Sequence, residues 1–201
     1  MKKFLSPLVL LVFLSFTNYD TQLTDEERKL GANELSKSEK FLLKTVKGLS
    51  DEQLNFKSSP ESWSIANCVE HLTISENAFD MMVKGALESP ADPSKRSEVK
   101  MTDEQIVAMI SSREKKVKTP ESFEPSGKFG TYEETLDVFK TKRKEHINYI
   151  KTTKDDLRNH YGSFPFGTLD TYQVFLFMSG HTERHVKQME AVMADPNFPK
   201  E

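Results

Sequence analysis

The chain has 201 residues, enough for one domain with a sizeable core and short for two. Charged residues make up 29%, the formal net charge is -3, and no block of like charge stands out, so nothing offers the basic patch a nucleic acid requires. The single cysteine, Cys68, excludes an internal disulfide, and the fold must hold by packing, for which 14 Phe and 8 Met supply material.

Residues 1–20, MKKFLSPLVLLVFLSFTNYD, start basic at Lys2 and Lys3, run apolar for about thirteen residues and then turn polar. The apolar run is short for a spanning helix, which needs roughly twenty residues. The layout predicts a secretory signal peptide, with Ser15 and Thr17 the best small-residue pair for cleavage. The alternative is an uncleaved membrane anchor. Both readings send the domain of residues 21–201 out of the cytoplasm, as a periplasmic or secreted protein.

Four long helical patterns follow, separated by breaks rich in Pro, Gly and Ser. The first starts at Thr24, with Glu27 at capping-box spacing, carries Leu30, Leu35, Phe41, Leu42, Val46 and Leu49, and stops between Gly48 and Asp51. The second runs from Ile65 to Leu87 behind Ser64 as its N-cap. A shorter helix is expected from Thr102 to about Lys118, then an irregular segment, TPESFEPSGKFGTYEE, that connects rather than forms core. The third long helix spans about Thr131 to Thr153 and the fourth about Thr168 to Ala194, with the loop NHYGSFPFGTLD between them. No strand-like alternation of useful length and no internal repeat is visible. The expected fold is an all-α four-helix bundle with a long crossover between the second and third long helices.

Near the C-terminus, His181 and His185 lie one helical turn apart on a stripe with Val174, Met178, Met189 and Val192. Both imidazoles therefore occupy positions where a bundle helix places core residues, which is costly unless they bond to something. On the second long helix His71 shares a face with Ser64, Cys68, Ser75, Ala78 and Met82, small enough near His71 to leave a cavity. Two facing helices giving one and two histidines would supply three nitrogens, a common open metal site with a fourth position for water or substrate. The alternative is three packed or solvated histidines.

A zinc-protease motif is excluded. It requires Glu directly after the first His, and Thr182 stands there; Glu183, one step further, is turned about 200° from His181.

SPESWSIANCVEHL followed by GHTERHVKQME resembles the DinB/YfiT-like superfamily of four-helix-bundle metalloproteins. The matching features are Trp63 and Ser64 at a helix start, His71 eight residues after the Trp, and His181, His185 and Gln188 at the close. The resemblance covers about Leu23 to Ala194. It implies a divalent metal, zinc or nickel, on His71, His181 and His185, acting as a Lewis acid on a small-molecule substrate in a hydrolase or a thiol transferase. Some relatives are homodimers. Export departs from the thiol-transferase pattern, because the thiols concerned are cytosolic.

Further polar candidates are Arg143 and His146, on the inward stripe of the third long helix with Leu136, Phe139 and Ile150. They could hold an anionic substrate or serve as acid and base beside the metal; the alternative is interhelical hydrogen bonding. Cys68 could add a thiolate but reads first as a small core residue. His160 could cover the pocket mouth or simply face solvent. Trp63 could anchor the core or wall the pocket, and Gln188 could bond to a group behind the ligands. Against the enzyme reading stand a non-catalytic metal- or ligand-binding bundle and a bundle that has lost its metal.

Overall fold

A computed structural model describes residues 22–115 and 117–200, so the signal peptide expected over residues 1–20 lies outside the described part. Among the described residues six α-helices and one hairpin follow in order. They are α1 (Asp25–Val46), α2 (Asp51–Asn55), α3 (Ile65–Leu87), α4 (Asp103–Ser111), α5 (Tyr132–Thr152), the strands β1 (Tyr161–Phe164) and β2 (Gly167–Asp170), and α6 (Thr171–Met193). The expected all-α bundle is present: α1, α3, α5 and α6 are its four long helices.

Local sequence starts each of them. Thr24, Ser64 and Thr131 accept from the backbone N–H three residues on, while Glu27, Asn67 and Glu134 reach back to the cap's own N–H. Each box satisfies two of the four amides a helix start leaves without partners. Asp170 caps α6 from the end of the hairpin.

Going round the bundle, α1 packs on α5 and α6, and α3 packs on the same two. Two apolar clusters fill it. One joins Leu35, Phe79, Val83, Ile150, Tyr172, Phe175 and Met178; the other joins Leu42, Val46, Ile65, Val69, Leu72, Phe139, Val186 and Met189. Between them the four helices contribute buried polar residues: Ser38, Glu76, Arg143, His146, Ser179 and Thr182. The candidate histidines lie at this level, on α3 and α6.

Residues 88–131 form the crossover from α3 to α5. It carries α4, which packs along α6, and two short 3-10 turns. The close approach of α4 is possible because residue 180 is glycine. A Cβ there would stand 3.0 Å from the Val107 carbonyl oxygen and 3.2 Å from Ile110 Cβ.

Four boundaries differ from the sequence expectation. The segment read as a loop before α6 contains the β1–β2 hairpin, pairing Tyr161 with Asp170 and Phe164 with Gly167. Its four-residue strands are too short to show an alternation. The hairpin takes up residues up to Asp170, so α6 begins at Thr171 rather than Thr168. α4 ends at Ser111 rather than near Lys118, where α6 captures its final carbonyl and those that follow: Lys187 donates to Ser111, and Arg184 to the cap Ser112 and to Lys115 beyond it. A short helix, α2, appears at Asp51–Asn55 with its own cap at Ser50.

Candidate metal centre

His71 from α3 and His181 and His185 from α6 meet. Nε2 of His71 lies 3.1 Å from Nε2 of His181, which lies 3.2 Å from Nε2 of His185. One ligand atom from each residue falls within 4.8 Å of the others. An ion held tetrahedrally at ~2.0–2.1 Å from two imidazole nitrogens sets those nitrogens ~3.3–3.4 Å apart, close to the spacing found.

The protonation pattern fits a cation better than three free imidazoles. His71 Nδ1 is 2.8 Å from the Phe123 carbonyl, which can only accept, so Nδ1 carries the proton. Neutral His71 then presents a bare lone pair at Nε2, toward the other rings. His181 Nε2 has one proton at most to offer two neighbours, so the pairing of three neutral rings is incomplete. A cation among the three lone pairs removes that conflict. The Phe123 carbonyl is the kind of partner that fixes the tautomer of a ligating histidine.

Electrostatics act in the same direction. Burial lowers the pKa of His71 and holds those of His181 and His185 well below the usual imidazole range. For His181 the repulsion it would meet from the other two rings once protonated adds to burial, and for His185 that from a protonated His71 and from Arg113 and Arg184. All three are therefore neutral at neutral pH and able to offer a lone pair. His185 Nδ1 is buried without a hydrogen bond of good geometry, and Gln188 beside it partly opposes the downward shift.

Aromatic rings wall the centre. Trp63 lies 4.9 Å from the His71 ring and stacks on His185 at 6.1 Å; Phe177 stacks on His181 at 5.7 Å, and Phe79 meets His181 edge-on at 6.1 Å. Among the described residues no carboxylate hydrogen-bonds to any of the three imidazoles.

The other sequence candidates are placed elsewhere. Arg143 is fully buried and donates to residues of the other three long helices: Leu35 O at 3.1 Å, Ser38 Oγ at 2.7 Å, Glu76 Oε1 and Thr182 Oγ1 at 2.7 Å. His146 bonds to Glu76 Oε2 at 2.8 Å and Asp80 Oδ1 at 3.3 Å. Neither joins the three nitrogens; Arg143 approaches only through Thr182, the neighbour of His181. Cys68 is buried among apolar residues, and burial pushes its thiol up to about 12, so it stays a protonated core residue. His160 is buried against the carbonyls of Asp156 and Ser89, away from the centre. Trp63 is a wall of the site, and Gln188 Oε1 accepts from Arg113 at 3.0 Å.

Sequence reasoning missed the Phe123 carbonyl, since any residue type can supply one. The one available signal was the turn sequence Pro125-Ser126-Gly127 beside it, which folds this part of the crossover onto α3.

Comparison with known proteins agrees with this architecture. Residues 34–189 match the DinB superfamily, a span that includes all three histidines. A relative of Bacillus subtilis (strain 168), called uncharacterized protein YuaE, is 29% identical over 150 residues, or 73% of this chain and 87% of the relative. No solved structure matched the chain.

Proposed function

The chain belongs to the DinB superfamily, and on that premise we propose that it is a metalloprotein holding a divalent ion, zinc or nickel, on His71, His181 and His185. Its reaction is hydrolysis or group transfer on a small molecule. The convergence of three Nε2 atoms, with no fourth His, Cys, Asp or Glu joining them among the described residues, carries this reading.

When bound, such an ion supplies Lewis acidity at the position the protein leaves open. The chain's own residues set the conditions around it. His71 is aimed by the Phe123 carbonyl, and Trp63, Phe79 and Phe177 limit the water that reaches the three rings. Three neutral imidazoles leave a divalent ion uncompensated, and Arg113 and Arg184 add positive field, so the open position favours an anionic ligand. Arg143 and His146 contribute from the polar layer behind, by holding Glu76 and Thr182 in place.

The basic and apolar leader supports export, and export favours hydrolysis over a reaction that needs a cytosolic thiol. Fractionation of cells carrying the chain with and without residues 1–17 tests it; equal distribution of both forms contradicts export.

The aromatic surround, without an acid or base on the three rings, favours a second reading: a bundle that binds a metal without catalysis. A panel of ester, amide and thiol-acceptor substrates with added zinc, nickel or manganese separates the two. Turnover that requires the ion and disappears in His185→Ala supports the enzyme; ion binding without turnover on the whole panel contradicts it.

A further inference from the structure

Glu70, directly before His71, is buried, and its carboxylate points into the crossover rather than into solvent. One oxygen, Oε1, accepts from three successive backbone amides: Ser126 at 2.9 Å, Gly127 at 2.6 Å and Lys128 at 3.2 Å. The Ser126 hydroxyl adds a longer contact at 3.4 Å. Successive amides can turn toward one anion because Gly127 has φ +74°, which curls the backbone into a concave nest. Three residues before this nest, the Phe123 carbonyl accepts the His71 Nδ1 proton. Two adjacent side chains of α3 therefore grip one short segment with opposite polarity, Glu70 as acceptor and His71 as donor.

Apart from these bonds, the segment is held by the Phe123 ring, which lies 5.9 Å from Phe79 and packs against the first apolar cluster. Residues 119–130 are half-buried or exposed throughout, with Pro120, Pro125 and two glycines and no helix longer than the turn Glu121–Phe123. The ring packing holds the side chain; the turn that follows and the direction of the Phe123 carbonyl depend on the backbone bonds. A charge-assisted bond to three amides is the strongest restraint available to it.

We infer that Glu70 is a positioning residue for the metal centre: it anchors the turn at residues 126–128, so that the Phe123 carbonyl meets His71 Nδ1 and His71 keeps its Nε2 lone pair toward His181 and His185. Glu70 does not touch the ion. This inference rests on the three-histidine reading of the site.

Two measurements on the whole chain test it. One is zinc affinity by competition with a chromophoric chelator. The other is the His71 tautomer in the metal-free protein, read from nitrogen–proton correlations of the imidazole. Glu70→Ala is expected to weaken zinc binding by roughly 10- to 100-fold, the range for loss of such orienting partners, and to lose the Nδ1-protonated form of His71. Glu70→Gln, which keeps an acceptor oxygen, recovers most of both. Gly127→Ala strains only the nest, with open space around the added Cβ, and so tests the clamp even if Glu70→Ala does not fold. It is expected to shift both readings in the same direction by less. Wild-type affinity and tautomer in both Glu70→Ala and Gly127→Ala would overturn the inference. Failure of the wild type to bind zinc would instead sink the metal reading, and the tautomer in the metal-free chain would still judge the clamp.

Discussion

Arg143 on α5 and Glu76 on α3 form an ion pair sealed in the middle of the bundle, with side-chain exposures of 0% and 3%. The pair is surrounded by further bonds. Arg143 also donates to α1 and α6, and Glu76 also bonds to His146, so the polar layer between the two apolar clusters touches all four long helices. Such a layer fixes the register of the helices, and with it the level at which His71 meets His181 and His185.

Breaking the pair leaves a buried charge without compensation. Arg143→Met or Glu76→Leu alone is expected to lower stability by about 3–5 kcal/mol, while the double variant recovers much of the loss. Urea unfolding of the four proteins measures this. Single losses below about 1 kcal/mol would show that water reaches the layer.

Acid should unfold the protein through the same carboxylate. Burial raises the Glu76 pKa, but the Arg143 charge and the bonds from His146 and Arg143 outweigh it, so the net shift is downward. Glu27 and Asp103, bonded to Arg158, are lowered in the same way. Carboxyls that titrate lower in the folded chain contribute fully above the ordinary carboxylate range, and that contribution is lost as pH falls through their lowered values. Stability measured by denaturant should therefore fall in two stages. The first lies below about pH 6.5, where unfolded imidazoles take up protons that the buried His71, His181 and His185 resist. The second lies below about pH 4.5, as these carboxylates protonate. In Glu76→Gln the second fall should be shallower; an unchanged slope would contradict the assignment.

Gly180→Ala tests the seat of α4. The added methyl meets the Val107 carbonyl oxygen and Ile110, neither of which is a flexible side-chain end. A loss of about 1–3 kcal/mol is expected from the overpacking. Because His181 follows directly, zinc affinity should fall as well. Wild-type stability would mean that α4 can move off α6 freely.

Cys68 should be unreactive in the folded chain. It has no exposed surface, and its thiol is pushed up to about 12. A thiol-specific reagent at pH 7–8 should label it only after denaturation; rapid labelling of the native protein would contradict its core placement.

The bundle and the three histidines were legible in the sequence because both depend on side chains at helical spacing. His181 and His185 declare themselves by standing on a stripe that otherwise holds Val174, Met178 and Met189. His71 does so by a face of small residues, Cys68, Ser75 and Ala78, that leaves room beside it. Arg143 and His146 were read correctly as inward-facing, but a stripe does not tell an inward residue that reaches a cavity from one that closes an ion pair; Glu76 decides that, and it comes from another helix. The hairpin at Tyr161–Asp170 and the end of α4 depend on pairing and on capture by Arg184 and Lys187, which leave no periodic trace. The Phe123 carbonyl leaves no trace of its own, since the backbone oxygen is common to every residue, and only the Pro125-Ser126-Gly127 turn beside it marks the place.

The most direct test of the three-histidine centre is the metal content of the purified chain after dialysis against zinc, beside His71→Ala, His181→Ala, His185→Ala and the control His160→Ala. The wild type should retain a single tightly held ion per chain and unfold at higher temperature with it than after chelation, because an ion that binds only the folded state stabilises it by mass action. Each of the three site variants should lose both properties, and the His160→Ala chain should keep its ion. Equal retention of zinc by the wild type and the His181→Ala and His185→Ala chains would contradict the account.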